Sequence, residues 1–285
     1  MSQFVLAHEG SIRLIFFLST LAIMATWELR APRRRLTVHK KQRWFTNLSI
    51  VAIDAIAVRL LVPLLPVSLA IVAQQQDWGL LNILDVPAWL AFIFAIALLD
   101  FVVYLQHVMF HAIPTLWRLH MVHHTDLDLD VTSGNRFHPV EILISIGIKL
   151  AAILVIGPSP VAVIVFEVIL NGMAQFNHSN VNMPLHIDRV LRRVVVTPDM
   201  HRVHHSVDYA EANSNFGFNL SWWDRLFGTY RAAPKAGHED MTIGVTQYRD
   251  PSLLTLDKLL LLPLRGKFGN YAINARKSNQ TNEQP

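Results

Sequence analysis

The sequence predicts an all-α integral membrane protein with about four to five transmembrane or hairpin helices and a cytoplasmic helical cap that holds a dimetal histidine site. Three observations support this prediction. The 285-residue chain is 52% hydrophobic and 16% charged, whereas an average soluble domain carries about 25% charged residues. Five apolar stretches are long enough to enter a bilayer with a core about 30 Å thick. Two HxxHH motifs and one HxxxH motif lie at the polar ends of these stretches.

The N-terminal part of the chain sets the orientation in the membrane. Residues 11–29 predict a first transmembrane helix, and seven lysines and arginines without an acid follow between residues 30 and 43. The positive-inside rule places this basic segment in the cytoplasm. A basic run could also bind nucleic acid, but its position directly after an apolar span favours a membrane anchor. We therefore expect no nucleic-acid partner, and no signal peptide is apparent.

The second apolar stretch is interrupted. Residues 44–73 contain Pro63 and Pro66, and proline removes a helical hydrogen bond, which predicts a kinked or two-piece span. The loop at residues 74–86 carries acids and no base, as expected on the opposite side of the membrane.

The remaining apolar stretches return the chain to the cytoplasm. Residues 87–110 predict the third span. Residues 140–156 and 159–176 predict a helical hairpin, because the Gly-Pro-Ser-Pro sequence between them is a strong turn signal. The polar and aromatic remainder predicts the cap. Without an internal repeat or linker, the sequence predicts one domain over residues 1–285, with a catalytic core at about 90–232 and a disordered tail at 278–285.

Eight histidines stand in the three motifs. HxxxH places two imidazoles on one helical face, and the first and last histidines of HxxHH are likewise neighbours. Eight imidazoles exceed what one metal ion can bind, so two metal ions are predicted. Every motif falls on the side of the basic segment, which predicts a site at the cytoplasmic face. The eight are His107, His111, His120, His123, His124, His201, His204 and His205.

Six other residues are candidates for the site. His178 is a candidate ninth ligand, and His138 and His186 are candidates as ligands or as residues that contact a ligand. Polar residues inside membrane spans are costly and commonly functional. On this ground the sequence predicts catalytic roles for Asp100, Tyr104 and Asn171. Asp100 would orient a ligand imidazole through its free N–H, or it would reach water instead.

Several reaction classes are excluded by the sequence. The chain has no cysteine, which rules out disulfides, thiolate metal sites and cysteine nucleophiles. The HExxH, ExxH, GxSxG, GxGxxG and P-loop patterns are also absent. A histidine-only dimetal centre beside an apolar interior remains. Iron there could activate dioxygen for attack on an unactivated C–H bond, whereas zinc could supply only hydrolysis or a structural role.

These motifs resemble those of the sterol desaturase / fatty acid hydroxylase superfamily of integral-membrane di-iron oxygenases, over roughly residues 90–232. The resemblance includes RFHPVE at 136–141, FNHSN at 176–180, TPDMHRVHHS at 197–206 and NSNFGFNLSWWDRLFGTY at 213–230. The last block is similar to bacterial members and to alkylglycerol monooxygenases.

The resemblance implies that the eight motif histidines bind the metals and that His178 completes the site. Asn182 stands where some family members have a second histidine. The resemblance also implies two iron ions, which zinc can replace during purification, and O2 as co-substrate.

The predicted function is therefore O2-dependent hydroxylation or desaturation of a membrane lipid: a fatty acyl, sterol-like or ether lipid. Electrons must come from an external donor, a ferredoxin, cytochrome or flavoprotein reductase, because the sequence has no cysteine and no nucleotide-binding motif. The alternative is a membrane metal-binding or transport protein without redox turnover. A transporter would place its ligands near the bilayer midplane, whereas these histidines cluster at one face.

Overall fold

The computed structural model describes residues 2–269 and 271–273, and all the regular elements in this part of the chain are helices. The tail predicted at 278–285 lies outside the described residues. The helices are α1 (Ser2–Ala7), α2 (Glu9–Arg30), α3 (Lys40–Leu61), α4 (Pro66–Gln75), α5 (Leu80–Ile83), α6 (Ala88–Ala112), α7 (Pro114–His124), α8 (Pro139–Ile156), α9 (Pro160–His178), α10 (Leu185–Leu191), α11 (Pro198–His204), α12 (Tyr209–Ala212), α13 (Trp222–Leu226), α14 (Gly237–Asp240) and α15 (Leu256–Arg265).

Five segments of the described chain are long and apolar enough to cross a membrane: Glu9–Arg30, Lys40–Ile83, Ala88–Ala112, Pro139–Ile156 and Pro160–His178. The predicted all-α membrane fold is confirmed, and the chain is a multi-pass membrane protein. The second segment is in two main pieces, as its prolines predicted, because α3 ends at Leu61 and α4 begins at Pro66.

The last two spans form the predicted hairpin. α8 ends at Ile156 and is followed by Gly157, whose φ of 69° is the left-handed conformation common after helix ends. α9 then begins with Pro160 after Ser159, whose hydroxyl accepts a hydrogen bond from the backbone N–H of Ala162. The turn is thus defined by local sequence. It brings α8 and α9 together with α6, where Leu99, Ile156 and Phe166 form a buried cluster.

The short helices of the cap pack beneath the spans around a second apolar core. Trp117 and Met121 of α7 lie in this core with Leu259 and Leu262 of α15. α7 therefore packs on the cap through these apolar residues, and Trp117 also contacts the ring of His124, with ring centroids 5.2 Å apart. This packing fixes the helix that carries three of the motif histidines.

A buried ion network joins the cap to the spans. Arg43 of α3 donates to both carboxylate oxygens of Asp126, at 2.7 and 2.8 Å, and to Asp130 at 2.7 Å. Burial alone would raise the pKa of Asp126, but the neighbouring charge of Arg43 holds that pKa below its usual range. The sequence places Arg43 in the basic segment that is predicted to anchor the first span. The structure buries it instead, because three acids in the segment after α7 surround it.

Gly134 allows this segment to contact α9. A β-carbon at Gly134 would lie 2.1 Å from the carbonyl oxygen of Ala174 and 3.1 Å from Nδ1 of His178. No side chain fits there without a backbone shift, so glycine is required by the close approach of the two backbones. The contact positions the last turn of α9.

We predict that Arg43→Met destabilises the protein by about 3–5 kcal/mol, because two buried carboxylates lose their counter-charge. The measurement is thermal unfolding of the purified protein in detergent micelles. Lys41→Met is the matched control, since Lys41 is an exposed cation on the same helix. An equal effect of the two substitutions would contradict the role assigned to Arg43.

Candidate metal centre

Nine histidines converge between the spans and the cap. They come from the end of α6, from α7, from the end of α9, and from α11 with the residue after it. All nine are buried. They form two groups, in each of which one nitrogen atom per residue lies within 4.8 Å of the others: His107, His111, His120, His124 and His204, and separately His123, His178, His201 and His205.

In the first group, imidazole lone pairs face one another. Nδ1 of His107 lies 2.8 Å from the carbonyl oxygen of Phe216, and Nδ1 of His120 lies 2.6 Å from a carboxylate oxygen of Glu141. The carbonyl oxygen of Phe216 and an ionised Glu141 can only accept, so Nδ1 carries the proton in both rings and Nε2 of the neutral imidazole is left as an acceptor. Yet the two Nε2 atoms are 3.1 Å apart. Two facing lone pairs repel unless a cation lies between them.

His111 has the same arrangement. Its Nδ1 lies 3.2 Å from Oδ1 of Asn213. The side-chain amide of Asn213 donates from Nδ2 to the carbonyl oxygens of Tyr209 and Tyr271, which fixes Oδ1 as the atom that faces the histidine. Nε2 of His111 is therefore unprotonated, and it lies 3.1 Å from Nε2 of His124.

The second group is a chain of short nitrogen contacts. Nδ1 of His178 donates to the carbonyl oxygen of Ala174 at 2.7 Å, so its Nε2 is an acceptor. This Nε2 lies 3.1 Å from that of His123 and 3.0 Å from that of His201, and the latter is 3.2 Å from Nε2 of His205. One lone pair with two close nitrogen neighbours is the arrangement expected of ligands to a metal.

These spacings fit metal coordination. At a zinc–nitrogen distance of about 2.1 Å, two ligand nitrogens lie about 3.0 Å apart at 90° and about 3.4 Å apart at the tetrahedral angle. The observed separations of 3.0–3.2 Å lie in this interval. Each group could therefore hold one ion, through five nitrogens in the first and four in the second.

Burial keeps the imidazoles neutral. It lowers the pKa of His120 to about 3 and holds the pKa values of His123, His124, His201 and His205 well below their usual value. Neutral imidazole is the form that binds a metal ion, so no proton must be displaced at neutral pH.

Glu141 contacts the histidine centre, although it was not among the site residues predicted from the sequence. It lies in the first turn of α8, next to His138, and is 2% exposed. Its bond to His120 orients that imidazole, which is the role predicted for Asp100. The only signal in the sequence was an acid at the start of an apolar span, within the RFHPVE block.

Asp100 occupies a different position from the one predicted. Its carboxylate accepts hydrogen bonds from the backbone N–H of Leu220 at 3.1 Å and from Nε1 of Trp223 at 2.9 Å. It therefore holds the loop before α13. The hydroxyl of Tyr104 is 3.1 Å from that of Thr229, so this residue also contacts the cap.

The other candidates lie outside the two histidine groups. The ring of His138 caps α8, where Nδ1 accepts from the N–H of Val140 and Nε2 lies 3.2 Å from the carbonyl oxygen of Leu260. His186 is exposed on α10. Asn171 lines the cavity described next, although its amide nitrogen donates to the carbonyl oxygen of Glu167.

A cavity of about 590 Å³ opens beside the histidines. His107, His120 and His123 form one end of it, and an apolar wall extends from there along α6 and α9. This volume is within the range of small-molecule binding sites. The wall includes Leu99, Val102, Val103, Phe166 and Leu170.

The histidine-rich core matches a known family. Residues 92–229 match the sequence model described as fatty acid hydroxylase. This match covers 138 residues, just under half of the chain, and its histidine-rich part is therefore similar to this family. The predicted resemblance to the sterol desaturase / fatty acid hydroxylase superfamily is therefore confirmed.

Three relatives illustrate the family. The ornithine lipid hydroxylase OlsE of Rhizobium tropici is 28% identical over 249 residues, which cover 81% of this chain and 70% of that protein. Human alkylglycerol monooxygenase is 30% identical over 148 residues, or 52% of this chain and 31% of that protein. Human cholesterol 25-hydroxylase is 27% identical over 143 residues, or 50% of this chain and 51% of that protein. The chain thus spans about half or less of the last two, and no solved structure matches it. These relatives support an enzyme of the oxygenase type.

We predict that Glu141→Gln lowers the affinity of the first histidine group for metal by about 10–100-fold, because a neutral amide oxygen is a weaker acceptor for Nδ1–H of His120. Metal content measured at graded free Fe(II) concentrations tests this. Glu239→Gln is the control, since the side chain of Glu239 is 76% exposed. Unchanged loading of the Glu141 variant would contradict the role assigned to this carboxylate.

Proposed function

We propose that the protein is an O2-dependent hydroxylase of a membrane lipid, with two iron ions held by the two histidine groups. The observation that carries this proposal is the set of facing imidazole lone pairs at the end of an apolar cavity. The family and the hydroxylase and monooxygenase names of the relatives support the same reaction.

The reaction replaces a C–H bond by C–OH. One oxygen atom of O2 enters the lipid and the other leaves as water, which consumes two electrons and two protons. Bound iron would supply the redox chemistry that O2 requires. Hydroxylation is favoured over desaturation because the three relatives named above are hydroxylases or monooxygenases by name.

The protein itself contributes binding and exclusion of water. The apolar wall of the cavity can hold hydrocarbon, and burial of a lipid chain there is favourable at about 25 cal/mol per Å². Phe137 stacks on His123 with ring centroids 4.3 Å apart and also lines the cavity. It thus covers an imidazole at the junction of the cavity and the second group.

Electrons would come from an external ferredoxin, cytochrome or flavoprotein reductase that docks on the cap. Arg189 and Arg193 are exposed there, and a basic surface suits an acidic partner. By the positive-inside rule the cap faces the cytoplasm, and we propose a bacterial inner membrane. The lipid would enter the cavity from the bilayer.

A metal-binding or transport protein without turnover remains the second candidate function. The buried histidines would serve either function. They would indicate metal binding or transport alone only if the bound metal does not react with O2. Metal analysis of anaerobically purified, iron-supplied protein, together with Mössbauer spectroscopy, separates the two. Two irons per chain that are oxidised by O2 after reduction support the hydroxylase. One ion or none would contradict the two-iron assignment, and two ions inert to O2 would favour the second candidate.

We predict that His204→Ala lowers metal affinity in the first group by at least about a hundredfold and abolishes lipid hydroxylation, while the protein still inserts in the membrane. Metal content and product formation are measured on the same membrane preparations. The control is His186→Ala, because His186 is exposed and lies outside both groups. Normal turnover by the His204 variant would refute the dimetal assignment.

A further inference from the structure

One surface of the cap exposes large apolar side chains. They belong to α10, to the turn after it, and to α13 with the residue that follows. Five of them are 47–70% exposed: Val190, Val194, Trp222, Leu226 and Phe227. Single exposed apolar residues are common on soluble proteins, but a contiguous group marks a contact with a membrane or a partner. We refer to these five residues as the apolar surface.

Hydrogen bonds join the two parts of the apolar surface. Nε1 of Trp222 donates to the carbonyl oxygen of Arg193 at 3.0 Å, and the backbone N–H of Ser221 donates to the carbonyl oxygen of Val194 at 3.0 Å. The start of α13 therefore lies beside the turn that follows α10. The exposed side chains thus form one surface rather than two separate ones.

The loop before α13 follows α6 back toward the middle of the membrane. The carbonyl oxygen of Phe216 contacts His107, and the backbone N–H of Leu220 contacts Asp100, two turns earlier in the helix. Only about 18 Å of α6 separates Ala88, its first residue, from Asp100, whereas the hydrocarbon core of a bilayer is about 30 Å thick. A crossing of the core by α6 therefore places Asp100, and the elements packed beside it, at the depth of the hydrocarbon.

α13 packs on the side of α6 at this depth. The ring of Phe227 stacks on those of Phe101 and Tyr104, with centroids 5.7 and 5.6 Å apart. Leu105 lies one turn after Phe101 on the same side of α6 and is exposed. Lipid chains that cover Leu105 would therefore also reach Phe227. The apolar surface thus continues the lipid-facing side of the span.

The exposed charges beside the apolar surface are positive. Arg189, Arg193 and Arg225 are exposed, whereas the two acids of the same segments, Asp188 and Asp224, are buried. An arginine side chain can lay its stem along apolar surface and keep its charged group among lipid headgroups. Exposed arginine next to tryptophan, leucine and phenylalanine is the composition of surfaces that lie on anionic membranes.

We propose that the apolar surface is embedded in the bilayer leaflet on the side of the histidine centre, and that Arg189, Arg193 and Arg225 bind anionic phospholipid headgroups there. Part of the cap is thus a membrane-embedded element. This inference goes beyond the proposed function and does not depend on the reaction. An acidic electron donor could use Arg189 and Arg193 only by displacing headgroups, so burial in lipid and docking of a soluble protein are alternatives that the test separates.

The depth of the apolar surface is measured with a single spin label. Because the chain has no cysteine, Leu226→Cys provides one labelling site at an exposed position. The labelled protein is reconstituted in vesicles of phosphatidylglycerol and phosphatidylcholine. Electron paramagnetic resonance then compares collisions of the label with O2, which concentrates in hydrocarbon, and with a charged nickel chelate, which stays in water. We expect O2 to relax this label more strongly than the chelate does.

Glu239→Cys is the control for the depth measurement. The side chain of Glu239 is exposed and pairs with Arg33, which lies beyond the end of α2. The chelate should relax the label of this variant more strongly than O2 does. If the Leu226→Cys label behaved in the same way, the proposal would be overturned, and the surface would be left to a soluble partner such as the donor.

Headgroup binding is tested by native mass spectrometry of protein released from the same vesicles. We expect the wild type to retain phosphatidylglycerol in preference to phosphatidylcholine, and Arg193→Gln to reduce this preference about fivefold, the effect of one basic residue at an anionic surface. Lys235→Gln removes an exposed charge outside the surface and should leave the preference unchanged. Equal preferences in all three proteins would overturn the role assigned to the arginines.

Discussion

Repulsion between unprotonated ring nitrogens is the constraint on which the rest of the structure depends. Eight of the nine buried imidazoles have Nε2 atoms 3.0–3.2 Å from that of another histidine, and hydrogen bonds at Nδ1 fix the tautomer of several of them. The carbonyl oxygens of Phe216, Ser214 and Ala174 accept these bonds. The backbone of the loop before α13 is thus as much a part of the centre as the histidines, because it determines which nitrogen is free.

Two buried polar connections position this loop and α7, a set of hydrogen bonds to Asp100 and an ion network around Arg43. Asp100 of α6 accepts from the backbone of the loop, and Arg43 of α3 is enclosed by the acids that follow α7. Arg43 lies near the start of its span and Asp100 lies midway along α6, and an unpaired charge is costly in a membrane span. Their pairing couples insertion of the spans to docking of the cap. A displacement of either span would therefore be transmitted to the histidine rings.

The sequence predicted what depends on local pattern. The spans follow from hydropathy, the hairpin from Pro158 and its neighbours, and the histidine groups from i, i+3 and i+4 spacing. It did not predict partners that tertiary packing chooses. Asp100 shares a helical face with His107, but the pattern of residues on a face does not reveal which element packs against it. In the structure, the loop before α13 packs there. Glu141 contacts His120 across 21 positions, and no short-range pattern encodes such a contact. Arg43 looked like a surface cation because its three acids lie more than 80 residues away.

The chain order of the ligands has a consequence for biosynthesis. Four of the five histidines in the first group are contributed by α6 and α7, whereas the second group needs the end of α9 and the region of α11 for three of its four. Because the ribosome delivers the N-terminal part first, the first group is nearly complete before the α8–α9 hairpin exists. With one ion in each group, as proposed above, loading is therefore expected to be sequential. Under iron limitation, nascent chains would hold an incomplete first histidine group without iron. Its closely spaced neutral imidazoles would then bind whichever divalent ion is most available.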